Sequence, residues 1–173
     1  QASDPGALTA LVEEAAARFT ASLVEPAYGR TAPREEARVE RRDTVPHASV
    51  PIHIWPITGP LDQANILLRA AMARALTRRD IAVVNRMEQA KLILSGELSL
   101  GPAENGNRPI EIIWAMLRPD GKELGRLNQK NAVSEETLKS GWDALSRSIA
   151  GAAAGGVGEL IRRLPEEALN EAK

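Results

Sequence analysis

From Lys91 to Leu100 the side chains alternate. Leu92, Leu94, Gly96, Leu98 and Leu100 occupy one set of positions, and Lys91, Ser95, Glu97 and Ser99 the other. A two-residue period fits a strand with one face on a core and the other towards polar surroundings, because successive side chains of a strand point to opposite faces. Any fold for this chain must therefore contain a sheet with one well-covered face.

The segments around this strand supply the rest of the sheet. Ser49 to Ile57 reads as a strand with Val50, Ile52 and Ile54 on one face and His53 and Trp55 on the other. A short strand is expected at Ile81 to Asn85. Asn105-Gly106 lies in the loop that turns the chain back after Leu100, and Pro109 to Leu117 forms the returning strand, with Ile110, Ile112, Trp114 and Met116 on one face. Arg118-Pro119-Asp120-Gly121 is a strong hairpin turn, since proline presets φ and glycine accepts φ > 0. A last strand runs from Lys122 to about Val133.

Helical periodicity appears three times. Leu8, Leu11, Val12, Ala15, Ala16, Phe19 and Leu23 make one apolar stripe over Gly6 to Val24. Leu61, Ala64, Leu67, Leu68, Ala71, Met72, Ala75 and Leu76 make another, in a helix expected to open at Pro60 and run to about Arg79. Arg74, Arg78 and Arg79 lie at its C-terminal end, where the helix dipole favours cations. The third starts at Ser134, whose hydroxyl can cap the first turn, and carries Leu138, Trp142, Leu145, Ile149, Ala153, Val157, Leu160 and Ile161 as a single stripe to Leu164. Its stretch from Ile149 to Gly158 is nearly all alanine and glycine. Such a face either approaches a sheet closely or leaves room beneath it for an apolar ligand.

The chain thus divides into an N-terminal amphipathic helix over residues 1–24, an extended connector over 25–48 rich in Pro, Arg and Glu, an α+β domain over 49–165 and a polar tail over 166–173. The element order of the domain is β-α-β-β-β-β-α. Its first β-α-β unit should be a parallel crossover and the later strands antiparallel hairpins. The result is a two-layer sandwich, with a mixed four- or five-stranded sheet covered on one face by two helices. At 173 residues the chain can bury roughly 70% of its unfolded surface, so its core needs neither disulfide nor structural metal.

Composition narrows the chemistry. With 22 Lys and Arg against 23 Asp and Glu, the formal net charge is -1, which argues against general nucleic-acid binding. Cysteine is absent and there are two histidines, so thiol chemistry is excluded and a metal site or other cofactor is not expected. No nucleophile and base fall at a spacing that marks a catalytic site. His53 could serve a hydrolase whose nucleophile is not visible in the sequence, but as a half-exposed strand residue it has an ordinary structural role. Asn128, Gln129 and Asn131 crowd the last strand and could read a partner's backbone or a sugar, or bond local backbone. The open sheet face, marked by Lys91, Ile93, Ser95, Glu97 and Ile113, offers a mixed surface to a partner, with His53 and Trp55 beside it.

The block Leu94-Ser95-Gly96-Glu97-Leu98, the run Ile112-Ile113-Trp114 with Asp120-Gly121-Lys122-Glu123-Leu124-Gly125, and Asn128-Gln129-Lys130-Asn131-Ala132-Val133 ending at Gly141-Trp142 resemble small envelope lipoproteins of α-proteobacteria. The element order is similar to TolB N-terminal domains and to accessory lipoproteins of outer-membrane assembly. The resemblance covers about residues 50 to 164 and implies a periplasmic, membrane-tethered accessory protein that docks on an envelope protein, with no catalytic residues to carry over. A start of Gln1-Ala2-Ser3 without Met fits removal of a leader, with a lipidated Cys upstream of Gln1. An alternative is a carrier of a lipid between the sheet and the Ala/Gly-rich helix. The expected state is a monomer, or a dimer that exchanges the first helix.

Overall fold

The computed structural model describes residues 20–24, 50–165 and 168–169, the first of these as backbone. Six strands form one sheet: β1 (Thr20–Val24), β2 (Ile52–Ile54), β3 (Val83–Val84), β4 (Leu92–Leu100), β5 (Asn107–Leu117) and β6 (Glu123–Ser134). Their spatial order is β1-β6-β5-β4-β2-β3. Among the described residues three α-helices accompany them, α1 (Asp62–Thr77), α2 (Glu135–Ser140) and α3 (Trp142–Arg163), with a 3-10 turn at Met87–Gln89. The two-layer α+β sandwich expected from the pattern is what forms, with five strands from the domain itself and β1 added at the edge.

The β2-α1-β3 unit is parallel, and β2 also pairs parallel with β4. From β4 onward every pairing is antiparallel. Both turns work as their residues require. Asn105 and Gly106 have φ of 51° and 74°, the backbone of a two-residue hairpin turn that favours Asn-Gly. At Arg118–Gly121, Gly121 adopts φ 89° and its N–H donates to the Arg118 carbonyl at 2.9 Å.

Burial follows the alternation. Ile52, Ile54, Leu92, Leu94, Leu98, Ile110, Ile112, Trp114, Met116, Leu127 and Val133 all turn to the helical layer and join one core with Leu68, Met72 and Leu76 of α1 and with Leu145, Ile149, Ala153, Val157 and Ile161 of α3. Helices α1 and α3 lie against each other over this face. The small residues of α3 serve close approach. A Cβ at Gly156 would lie 2.1 Å from Leu127 Cδ2, and one at Gly125 would lie 2.8 Å from Leu160 Cδ2. There is no space for a methyl group between α3 and β6 at these points, so a lipid held there would need the two layers to separate.

Three boundaries differ from the sequence expectation. The helix expected over Gly6–Val24 does not reach Thr20–Val24, which pairs antiparallel with β6 from Thr20 opposite Lys130 to Val24 opposite Arg126. The free edge of β6 offers ladder hydrogen bonds that local periodicity cannot report. The rest of that helix and the connector lie outside the described residues. Pro60 does not open α1, which begins two residues later at Asp62 after Leu61. The single C-terminal helix is broken at Gly141, which closes α2 through its N–H to the Thr137 carbonyl at 2.7 Å and opens α3 by accepting from Leu145 N at 3.0 Å. Thr137 and Trp142 are both buried. On one unbroken helix they would sit roughly 140° apart, so the break lets both face inward.

Candidate functional site

Among the described residues, no helix lies on the second sheet face. Strand alternation places Ser95 and Glu97 of β4, Glu111, Ile113, Ala115 and Leu117 of β5, and Arg126, Asn128 and Lys130 of β6 on it. Its centre is apolar and half-buried, at Ile113, Ala115 and Leu117, and its surroundings carry charge of both signs. Such a pattern of apolar centre and polar rim is that of a protein contact surface.

The polar groups on this face are pre-arranged. The Glu111 carboxylate accepts from Asn128 Nδ2 at 2.7 Å and pairs with Lys130 Nζ at 3.1 Å directly across the strands. The Asn128 bond first, and then Lys130, hold the Glu111 carboxyl below the usual carboxylate range. Asn128 Oδ1 is shielded from solvent and has no hydrogen-bond partner. Where the face meets the β4–β5 hairpin, Ser99, Gly101, Pro109, Glu111, Lys130 and Asn131 line an open basin of about 510 Å³. At the other end, Arg118 is 7% exposed and binds Asp120 at 2.5 Å. The Lys122 backbone N–H, and then Arg118, lower the Asp120 carboxyl.

The residues singled out in the sequence divide sharply. Ile113 and Asn128 lie on the open face as half-buried groups. Trp55 is 39% exposed beyond the end of β2. His53 is half-buried, and its Nδ1 lies 3.1 Å from the Val84 carbonyl, a cross-strand contact that ties β2 to β3. Two candidates are corrected. Ile93 has the right parity but is 1% exposed, flanked across the strands by His53 and Leu117, so it supports the face from beneath and is out of a partner's reach. Gln129 is fully buried on the helix side, where it accepts from Trp114 Nε1 at 2.8 Å and donates to the Ile149 carbonyl at 3.2 Å. Asn131 is on the helix-side parity near the strand end, and its Oδ1 accepts from Ala132 N at 2.8 Å. The amide cluster therefore does not act as one surface, because neighbours on a strand point opposite ways. Glu111 and Lys130 were missed; their signal was present as opposite charges at polar positions of adjacent strands, readable once the register is known.

No known protein family and no curated protein matches the sequence. Solved structures that share part of the shape include a dodecameric protein in two forms and a hypothetical protein. A PelC dodecamer from Paraburkholderia phytofirmans is 12% identical with a TM-score of 0.49, covering 78% of this chain and 96% of that one. A point variant of the same dodecamer is 13% identical with a TM-score of 0.48, covering 77% and 97%. A hypothetical protein, CT253, from Chlamydia trachomatis is 12% identical with a TM-score of 0.41, covering 63% and 98%. These partial likenesses of shape carry nothing about function. Among the described residues no helix is long and apolar enough to cross a membrane.

Proposed function

We propose that the protein is a non-enzymatic interaction module, an accessory of a cell-envelope assembly that docks a protein partner on its open sheet face. The observation that carries this reading is the face itself. Ile113, Ala115 and Leu117 form an apolar centre that no helix among the described residues covers, ringed by Glu97, Glu111, Arg126 and Lys130. A partner seated there buries the apolar centre, while the fixed charges set its register and exclude mismatched surfaces. The resemblance of the Leu94–Leu98, Ile112–Trp114 and Asn128–Val133 blocks to envelope lipoproteins supports a periplasmic, membrane-tethered location.

The test is cross-linking and capture from envelope extracts with the tagged protein. The expected result is a defined set of envelope proteins retained by the wild type, lost with Ile113→Asp and kept with Asp143→Asn on exposed α3. Equal capture by both variants would remove the open face from the account. Recovery of the protein alone with extractable lipid would favour the carrier instead.

A further inference from the structure

The cations of the fold are not treated alike. Among the described residues, ion pairs engage Arg108, Arg118, Arg126, Lys130, Arg147, Arg162 and Arg163. Between Asp62 and Lys91 the chain carries Arg69, Arg74, Arg78, Arg79, Arg86 and Lys91, six cations against the three carboxylates Asp62, Asp80 and Glu88, and none of the six makes an ion pair with a described residue; elsewhere among the described residues Lys122 and Lys139 also make none. Like charges at i,i+4, as at Arg74 and Arg78, repel on a helix surface. The helix dipole accounts for cations in the last turn of α1 but not for Arg69, Arg86 or Lys91.

A second observation falls in and beside the same stretch. The exposed large hydrophobic residues among those described are Trp55 at 39%, Ile66 at 70% and Met87 at 44%. Trp55 and Ile66 belong to the β2-α1-β3 segment and Met87 to the 3-10 turn that follows it before β4; none lies in β4, β5, β6 or α3. Ile66, Ala70 and Ala73 of α1 form a shallow groove of about 310 Å³ with Val83 and Val84 of β3, and Arg69 stands in its wall with its Nε bonded to the Ile54 carbonyl at 3.0 Å. One exposed isoleucine needs no explanation. Three such side chains in or beside a stretch whose six cations make no ion pair with a described residue do.

We infer that the β3 edge of the sandwich, with the outer side of α1, is a docking surface for an anionic lipid bilayer. Arginines on aliphatic stems place charge at the headgroup level while Ile66, Met87 and Trp55 enter the region just beneath, the division of labour of interfacial membrane binding. A protein strand is the poorer occupant, because β3 is two residues long and offers almost no ladder to extend. Seated on this edge, the sheet stands away from the bilayer and its open face stays accessible from the side. Trp55 and Lys91 border the open face, but Ile66, Arg69 and Arg74 belong to α1 on the other side of the sheet, so the inference stands or falls without that face.

Vesicle co-sedimentation tests it, with neutral phosphatidylcholine against an equal mixture of phosphatidylcholine and phosphatidylglycerol. Binding to the mixture alone is expected, weakening as salt is raised. Arg74→Gln with Arg78→Gln should lower the partition coefficient about thirty-fold, about five-fold for each cation near an anionic surface. Ile66→Ser should lower it several-fold with no change in the salt dependence. All three positions are at the surface, and unchanged thermal melting would confirm that the variants fold. Equal binding to both vesicle types, no binding, or variants indistinguishable from wild type would overturn the inference. Chemical-shift changes at these residues with polyglutamate but not with vesicles would also overturn it, assigning the surface to an acidic protein.

Discussion

Trp114 and Gln129 meet across β5 and β6 with no solvent near them: the indole N–H donates to the glutamine Oε1 at 2.8 Å, and both side chains are 0% exposed. The glutamine nitrogen reaches the Ile149 carbonyl on α3, so one side chain ties the two layers together. Trp114 is accommodated because β4 has no side chain opposite it; a Cβ at Gly96 would lie 2.8 Å from the indole Cζ3. Gln129→Leu keeps the volume and strands the indole N–H. We expect a loss of about 1–3 kcal/mol, read as a lower urea midpoint with an unchanged slope.

The small residues of α3 differ in what they face, and alanine substitutions should therefore differ in sign. At Gly156 the added methyl meets Leu127, itself 1% exposed and hemmed in by the core. Overpacking of about 1–3 kcal/mol should outweigh the helix-propensity gain of about 1 kcal/mol. At Gly151 nothing lies within 4 Å of the added Cβ. Gly151→Ala should stabilise by up to about 1 kcal/mol. Thermal melts of the two variants check the pair.

Ser134 closes β6 and caps α2, its Oγ accepting from Thr137 N at 3.2 Å. Ser134→Ala should cost about 1 kcal/mol in chemical unfolding. That cap was legible as a hydroxyl residue before Glu135-Glu136, and the structure uses it so.

Glu111 gives the open face a pH signature. Its folded-state pKa lies below the ordinary value of 4.5 because Asn128 and Lys130 bond the charged form. A depressed carboxylate contributes stability that is fully present above its unfolded pKa and is lost as pH falls through the folded one. Glu111→Gln should therefore show a shallower loss of stability below pH 4.5 than wild type, measured as urea midpoints across an acid series.

What the sequence made legible was local. The alternation from Leu92 to Leu100, the Asn105-Gly106 and Arg118–Gly121 turns and the stripe of α1 each declare themselves within a dozen residues. Strand β1 did not, because its pairing with β6 is decided over a separation of about a hundred residues while Thr20–Val24 also continue a helical stripe. Gly141 was readable as a glycine but not as a break, since the apolar stripe runs through it. Site residues fared worse. Asn128 and Gln129 read as one amide cluster although strand geometry sends them to opposite faces, and the burial of Ile93 depends on His53 and Leu117 from neighbouring strands. The lack of ion pairs to described residues at Arg69, Arg74 and Arg86 is a statement about distances, and composition carries none.

The central claim is that the open face is where a protein partner sits, and site-specific photo-cross-linking tests it most directly. A photoreactive side chain at Ile113 and another at Ala152 on the exposed side of α3 would be activated in intact cells of the source organism. The account expects a discrete cross-linked envelope protein from position 113 and none from position 152. Equal cross-linking from both positions, or a discrete product from 152 alone, would contradict it.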